Sequence, residues 1–324
     1  MKKRLLTVLM ILMLLFTMMP MQTFAEKPEA EAGLKYLNIG DSIAAGLSAL
    51  PDDYFALYAG YLGEDTLFRF YTPIPELQMP PYTWSEGAIN LGFPGLDSME
   101  LLKALRGEII PSMTDPLYAL QLQMLNLIPQ ADIITISIGG NNLLTPVIAT
   151  VFGMYGLTPG LNDEEDLLHL VNLAGEDVWN QNLQIFESSV LYSTPSPLGI
   201  VMQTRSTQFI SDWTDILEKI EDLNSDAQII AMTLYNPIEK EDHEALFERY
   251  EALVGPMNMA IKDSGDDVLV ADVAEKFMKK PDAVAFRLTW LDEMPRVLVD
   301  PHPTTLGHKL IFKEIKKLGN PMSF

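Results

Sequence analysis

Five short stretches of this chain are apolar with little polar alternation: residues 34–39, 88–91, 133–138, 228–234 and 268–273. Runs of this length suit β-strands covered on both faces, which is the usual condition of parallel strands. Amphipathic helical patterns lie between them, at 97–105, 115–127, 206–223, 240–262 and 304–318. In the fourth of these, Leu246, Tyr250, Leu253 and Met257 recur at helical spacing on one face and read as core. Alternation of apolar strands and amphipathic helices predicts a doubly wound α/β sheet, although periodicity gives no strand order.

The rhythm breaks between 145 and 204, where a turn-rich piece is followed by an acidic helical stretch over 163–187 and then by Ser193, Thr194, Pro195, Ser196 and Pro197. A long insertion directly after a site loop reads either as a lid or as added packing. A second irregular stretch, 71–84, carries Pro73, Pro75, Pro80 and Pro81, and is expected to line a substrate entrance.

At the N-terminus, Lys2, Lys3 and Arg4 precede an apolar run over 5–19, then Pro20 and the small-residue site ending in Ala25. That is the layout of a secretory signal peptide covering 1–25. The run of about 15 residues is shorter than the roughly 18 to 20 that cross a bilayer, so cleavage after Ala25 is expected rather than an anchor. The chain has no cysteine, so disulfides and a thiol-linked lipid anchor are both excluded. The expected product is an exported single domain over 26–324, of about 300 residues, large enough to bury a core without covalent staples.

Net charge is −22, and removal of Lys2, Lys3 and Arg4 leaves 19 basic against 44 acidic residues, or −25. Phosphate backbones and anionic membrane surfaces attract clustered cations, so nucleic acid is not an expected partner. The acidity reads first as a solubilising surface.

The first strand pattern ends in Gly40-Asp41-Ser42-Ile43, which presents a serine at a strand-to-helix turn. A serine hydroxyl needs a base to take its proton. His169 and His243 lie in acidic, helix-like contexts and read as surface residues, and His308 follows Gly307 in a helix-start pattern and reads as packing or capping. His302 remains, flanked by Pro301 and Pro303, which push Asp300 and His302 toward extended backbone. Alternation then puts the two side chains on the same side, where Asp300 could accept the Nδ1 proton and leave Nε2 facing the serine. A surface turn is the competing reading of Asp300-Pro301-His302-Pro303.

Ester hydrolysis also needs donors for the developing oxyanion. Three are available: the backbone N–H of Ser42 at a helix N-terminus, the backbone N–H of Gly95 in Asn90-Leu91-Gly92-Phe93-Pro94-Gly95, and the side-chain amide of Asn141 in Gly139-Gly140-Asn141-Asn142. Each loop leaves the carboxyl end of a strand, where open α/β sheets gather ligands. Phe93-Pro94-Gly95 is equally a routine turn, and Asn141 equally an asparagine turn.

In their order along the chain these four blocks resemble those of the SGNH hydrolases, the GDSL lipase/esterase family, across nearly the whole of 26–324. The resemblance implies a three-layer α/β/α sandwich like flavodoxin's with five parallel strands, and a lipase or esterase working through an acyl-serine intermediate. It assigns Ser42 as nucleophile, His302 as base, Asp300 as the orienting acid, and Ser42, Gly95 and Asn141 as the oxyanion hole. No cofactor and no metal follow from it. Two positions depart from the family's pattern. The aspartate expected three residues before His302 is replaced by Val299, so Asp300, a backbone carbonyl or Asp292 orients the imidazole; and Asn142 stands where the family has aspartate, which bears on how its loop is held.

The expected function is thus secreted hydrolysis of small-molecule carboxylic esters, lipid-like or acetylated sugars. The alternatives are a carbohydrate acetyl esterase, or a non-catalytic lipid- or carbohydrate-binding protein on the same fold. A Gly-x-Ser-x-Gly elbow and a His-x-x-x-His metal spacing are both absent from the sequence.

Overall fold

Strands with no polar alternation need cover on both sides, and the fold supplies it. A computed structural model describes residues 33–71, 84, 86–112, 115–158, 164–191, 197–238, 240, 244–284 and 301–319. The signal peptide expected over 1–25, most of the proline-rich stretch 71–84, and His243, Asp292, Val299 and Asp300 lie outside the described residues.

The strands are β1 (Lys35–Gly40), β2 (Thr66–Arg69), β3 (Gly87–Gly92), β4 (Ile133–Ser137), β5 (Gln228–Met232) and β6 (Val268–Ala271). They form one sheet in the order β2-β3-β1-β4-β5-β6, and every pairing is parallel. β1 therefore lies inside the sheet between β3 and β4, and the order reverses on either side of it, a switch point where crevices open at the strand ends. The sheet has six strands rather than the five expected. The addition, β2, is an edge strand with a register shift between Thr66 and Phe68. Its first two residues are exposed and the others half-buried, so it carries none of the apolar density that marks the inner strands.

The helices are α1 (Ser42–Ala45), α2 (Tyr54–Leu62), α3 (Ser98–Arg106), α4 (Pro116–Leu127), α5 (Gly140–Met154), α6 (Glu164–Ala174), α7 (Glu176–Leu191), α8 (Pro197–Leu223), α9 (Glu244–Lys262), α10 (Val273–Met278) and α11 (Thr305–Lys317). Leu246, Tyr250, Leu253 and Met257 of α9 are all buried, as their spacing predicts. Helix α8 begins nine residues earlier than expected, at Pro197. The acidic stretch after 163 forms two helices, α6 and α7, separated at Gly175, whose φ is +86°. Val171, Trp179 and Phe186 bury their side chains there, and Trp179 stacks on Tyr155 at 6.3 Å between ring centroids.

Part of the acidic composition serves helix starts. Asp41, Asp53, Asp97, Asp115 and Asp272 each cap a helix by accepting a backbone N–H, and Asp97 forms a full capping box with Glu100. Helix α2 escapes the periodicity because its sequence is apolar nearly throughout, yet it is fixed firmly. Tyr36 of β1 packs against Phe55 and Tyr58 at 5.2 and 5.3 Å between centroids. Asp53, wholly buried at its side chain, caps α2 and lies 2.9 Å from Arg69 Nη2 on β2.

Burial pushes the Asp53 carboxyl upward, and the attraction of Arg69 offsets only part of that cost. The pair is thus a poor source of net stability but a costly thing to break, since removing one partner strands the other. Asp53→Ala removes the cap and leaves the guanidinium of Arg69 uncompensated, with an expected loss of about 3 kcal/mol. Asp226→Ala on the surface should change little. Urea unfolding midpoints of the two variants check this, and equal midpoints would refute it.

Candidate active site

Four chain segments meet around one cavity of about 290 Å3, lined among others by Asp41, Ser42, Gly95, Asn141 and His302. Each reaches it from the carboxyl end of a strand or from the loop before α11. Of the residues singled out in the sequence, Ser42, Gly95, Asn141 and His302 come together here, and Asp300 lies outside the described residues. His169 is exposed and belongs to none of this.

Ser42 stands at the first position of α1, with Asp41 as its N-cap: Ile43 N–H donates to Asp41 Oδ1 at 2.9 Å. The turn into α1 is tight. Gly40 has φ +134°, and a Cβ there would sit 1.9 Å from the carbonyl oxygen of Ser137. That oxygen accepts the Asp41 N–H at 3.0 Å. On the next strand a Cβ at Gly92 would lie 2.2 Å from the Ala45 nitrogen, so only glycine lets β3 approach α1 so closely. Behind the turn, Asn38 Nδ2 and Asn90 Nδ2 both donate to the Ala44 carbonyl at 2.8 Å. Asn38 Oδ1 accepts from Tyr54 and Thr135 hydroxyls, and Asn90 Oδ1 from Gly92 N–H. The sequence reading missed these two asparagines. A polar amide inside an otherwise apolar strand is the signal that marks them, because a buried amide must find partners.

Gly95 occupies a turn in which Leu96 N–H donates to Phe93 O at 3.2 Å, with proline second and glycine third at φ +86°. This is the type II pattern. The turn reading and the donor reading are therefore compatible. Among the described residues no hydrogen bond takes the backbone N–H of Gly95 or of Ser42. Asn141 Nδ2 donates one hydrogen to Leu96 O at 3.0 Å, which fixes the amide against the Gly95 turn and leaves its second hydrogen unspent.

Asn142 turns away from the cavity. Its Oδ1 accepts Ser98 N–H at 3.1 Å and its Nδ2 donates to Ser98 Oγ at 2.7 Å, while Ser98 Oγ donates to Asp212 on α8. It holds the loop after β4 to the start of α3, in keeping with a role in loop anchoring.

His302 precedes the isolated antiparallel bridge between Pro303 and Val284, and Thr304 N–H donates to Ala283 O at 2.8 Å. Tyr235, following β5, donates its hydroxyl to Pro301 O at 2.6 Å and stacks on Phe277 at 4.3 Å between centroids. Tyr235 thus clamps the peptide next to the imidazole. It too went unnoticed in the sequence, since a lone tyrosine after a strand carries no pattern.

The two histidines of this region differ by burial. His308 is fully buried, stacked on Tyr54, with Nδ1 accepting Tyr54 N–H at 3.3 Å and Nε2 3.2 Å from Leu47 O. An accepting Nδ1 makes Nε2 the protonated nitrogen, which donates to Leu47. Burial first, and then the charge of His302, push the His308 imidazole down to about 4, so it stays neutral and structural. Asp41 moves the other way. Burial lifts its carboxyl to about 7, against the pull of the Ile43 N–H and the charge of His302.

No protein-family model and no curated protein matches the chain. Solved structures similar to it include the lipase Lip_vut3 from a goat rumen metagenome, at 17% identity and a TM-score of 0.47, covering 88% of this chain and 97% of that one. The extracellular lipase of Streptomyces rimosus matches at 16% identity and a TM-score of 0.47, covering 88% and 99%. Phospholipase A1 of Streptomyces albidoflavus NA297 matches at 14% identity and a TM-score of 0.44, covering 88% and 99%. At such identities and scores the reading of the site rests on this chain's own residues.

The Asp41 carboxyl gives stability a pH dependence of definite sign. Its unfolded value is 3.8 and its folded value about 7. Between these the folded protein keeps a proton that the unfolded chain has released, so stability falls as pH rises through the window. The fall is on the order of 4 kcal/mol at about 1.4 kcal/mol per pH unit. Asp41→Asn should flatten it. Urea midpoints at about pH 4.5 and 7.5 compare the two proteins, and an equal pH difference in both would locate the slope elsewhere.

Proposed function

We propose that this chain is a secreted serine ester hydrolase of the SGNH, or GDSL, type, acting on carboxylic esters. The observation that carries this reading is the meeting of Ser42, Gly95, Asn141 and His302 around one cavity, with three N–H donors left unclaimed near the serine. Residues this far apart in sequence share a cavity for a reason that surface turns do not supply.

The chemistry follows from the donors. Ser42 Oγ attacks the ester carbonyl carbon while the His302 imidazole takes its proton. The negative charge moves to the carbonyl oxygen, which accepts hydrogen bonds from Ser42 N–H, Gly95 N–H and Asn141 Nδ2. Donors aimed at that charge are the largest catalytic contribution in acyl transfer, about 3 kcal/mol for a single one. Collapse expels the alcohol, protonated by His302, and leaves an acyl-serine. Water, deprotonated by His302, attacks this ester and regenerates the serine. Asp300 is proposed to orient the imidazole, with Tyr235 steadying the peptide before it.

The spacing of Asp300 only two residues before His302 is the feature favouring a second reading, a lipid- or carbohydrate-binding protein with an inactive site. A fluorophosphonate probe, which labels only an activated serine, separates the two. Labelling at Ser42, lost in Ser42→Ala along with turnover of a chromogenic ester, is the expected result. Folded protein that resists the probe favours the binding reading.

Tyr235→Phe keeps the stack on Phe277 but frees the Pro301 carbonyl. Loosened aim of His302 should lower kcat about ten- to hundredfold with little change in KM. A rise in KM at constant kcat would instead make Tyr235 a substrate contact.

Export is proposed from the charged, apolar and small-residue order over 1–25. Among the described residues no helix is long and apolar enough to cross a membrane. Mass analysis of protein recovered from the medium should show a chain beginning at Glu26, and intact Met1 there would refute cleavage.

A further inference from the structure

The cavity has a second property, separate from its chemistry: one wall is a helix face with a built-in length scale. Helix α5 begins beside the catalytic loop, and Asn141, Leu144, Thr145 and Ile148 all line the cavity. These positions recur at three, four and seven residues from Asn141, so they share one face of the helix. Leu144 and Ile148 are half-buried and supply the apolar surface. Across the space stand Leu234 and Pro237 from the segment after β5, both buried and both lining the same cavity.

Resting on the hydrolase reading above, we infer that this face of α5 measures the acyl chain, and that the preferred substrates are esters of medium-chain fatty acids, of about eight carbons. Seven residues of helix at 1.5 Å rise separate Asn141 from Ile148 by about 10 Å. A tetrahedral zigzag of 1.5 Å bonds advances about 1.25 Å per carbon, so that distance spans about eight carbons. An acetyl group would leave most of this apolar space unfilled and gain little from it. A palmitoyl chain, at about 20 Å, is about twice as long as this face.

The measurement is kcat/KM for p-nitrophenyl esters from acetate to palmitate, at concentrations below aggregation, with fluorophosphonate labelling of Ser42 run in parallel. Each methylene added up to the limit should raise kcat/KM about two- to fourfold through burial, and palmitate should fall at least tenfold below the optimum. Ile148→Trp shortens the space. It should cut the decanoate-to-acetate ratio at least tenfold, while Ile148→Ala shifts the optimum toward longer chains. A flat profile, an optimum at acetate or palmitate, or an unchanged ratio in labelled Ile148→Trp overturns the length assignment and leaves the hydrolase reading standing. Folded protein that neither takes the probe nor cleaves any ester overturns both.

Discussion

The carbonyl of Ala44 is the fixed point of this site. It lies at the end of the four-residue helix that carries Ser42, too short to hold its own shape by internal bonds, and two asparagine amides from adjacent strands grip it at 2.8 Å. Both asparagines are buried and both are satisfied on their oxygens as well. A buried polar group left without a partner costs about 1 to 3 kcal/mol, so the network tolerates one arrangement and penalises its neighbours. Gly40 and Gly92 complete the constraint by steric means, since any side chain there would overlap the Ser137 carbonyl or the Ala45 nitrogen. The serine is held by backbone geometry, and its hydroxyl is left without a partner among the described residues.

From that point the rest of the site is tied on by single contacts across the strand ends. Asn141 donates to the Leu96 carbonyl, which couples the loop after β4 to the turn containing Gly95. Asn142 fastens the same loop to Ser98, and Ser98 to Asp212 on α8. Neighbouring asparagines thus divide the work: one faces the cavity, the other the scaffold. On the far side Tyr235 grips Pro301. Each link joins segments more than forty residues apart, and this is why a site spread over the whole chain can hold its geometry.

The parts of this arrangement that were legible in the sequence are those with a local signature. All five apolar runs are strands in one parallel sheet, and Ser42, Gly95, Asn141 and His302 share a cavity. Edge strand β2 was not legible because half-exposed residues such as Thr66 and Leu67 carry no apolar run. Helix α2 was not, because Tyr54 to Leu62 are apolar on nearly every face and show no stripe. The early start of α8 was hidden by Pro197 and Gly199, which read as loop, although proline is favoured in the first turn of a helix. Tyr235 belongs to a different class. Its function comes from a partner 66 residues away, and no spacing rule reaches that far. Asn38 and Asn90 fall between, visible as polar interruptions but silent about what they bind.

Burial also decides which ionisable groups are available for proton transfer. His308 and His302 lie six residues apart, yet the first is enclosed, stacked on Tyr54 and held near 4 by lack of solvent. At neutral pH it is an uncharged packing element, and it cannot take the serine proton without a large desolvation cost. His302 is half-buried and lines the same cavity as Ser42. Asp41 adds a charge that is itself conditional: lifted to about 7 by burial, it is part neutral at physiological pH and is drawn toward ionisation when His302 is positive. A positive charge on the imidazole of His302 therefore favours release of the Asp41 proton. The carboxyl beside the serine thus carries most negative charge when the imidazole lining the same cavity is positive, because opposite charges favour one another's ionised forms.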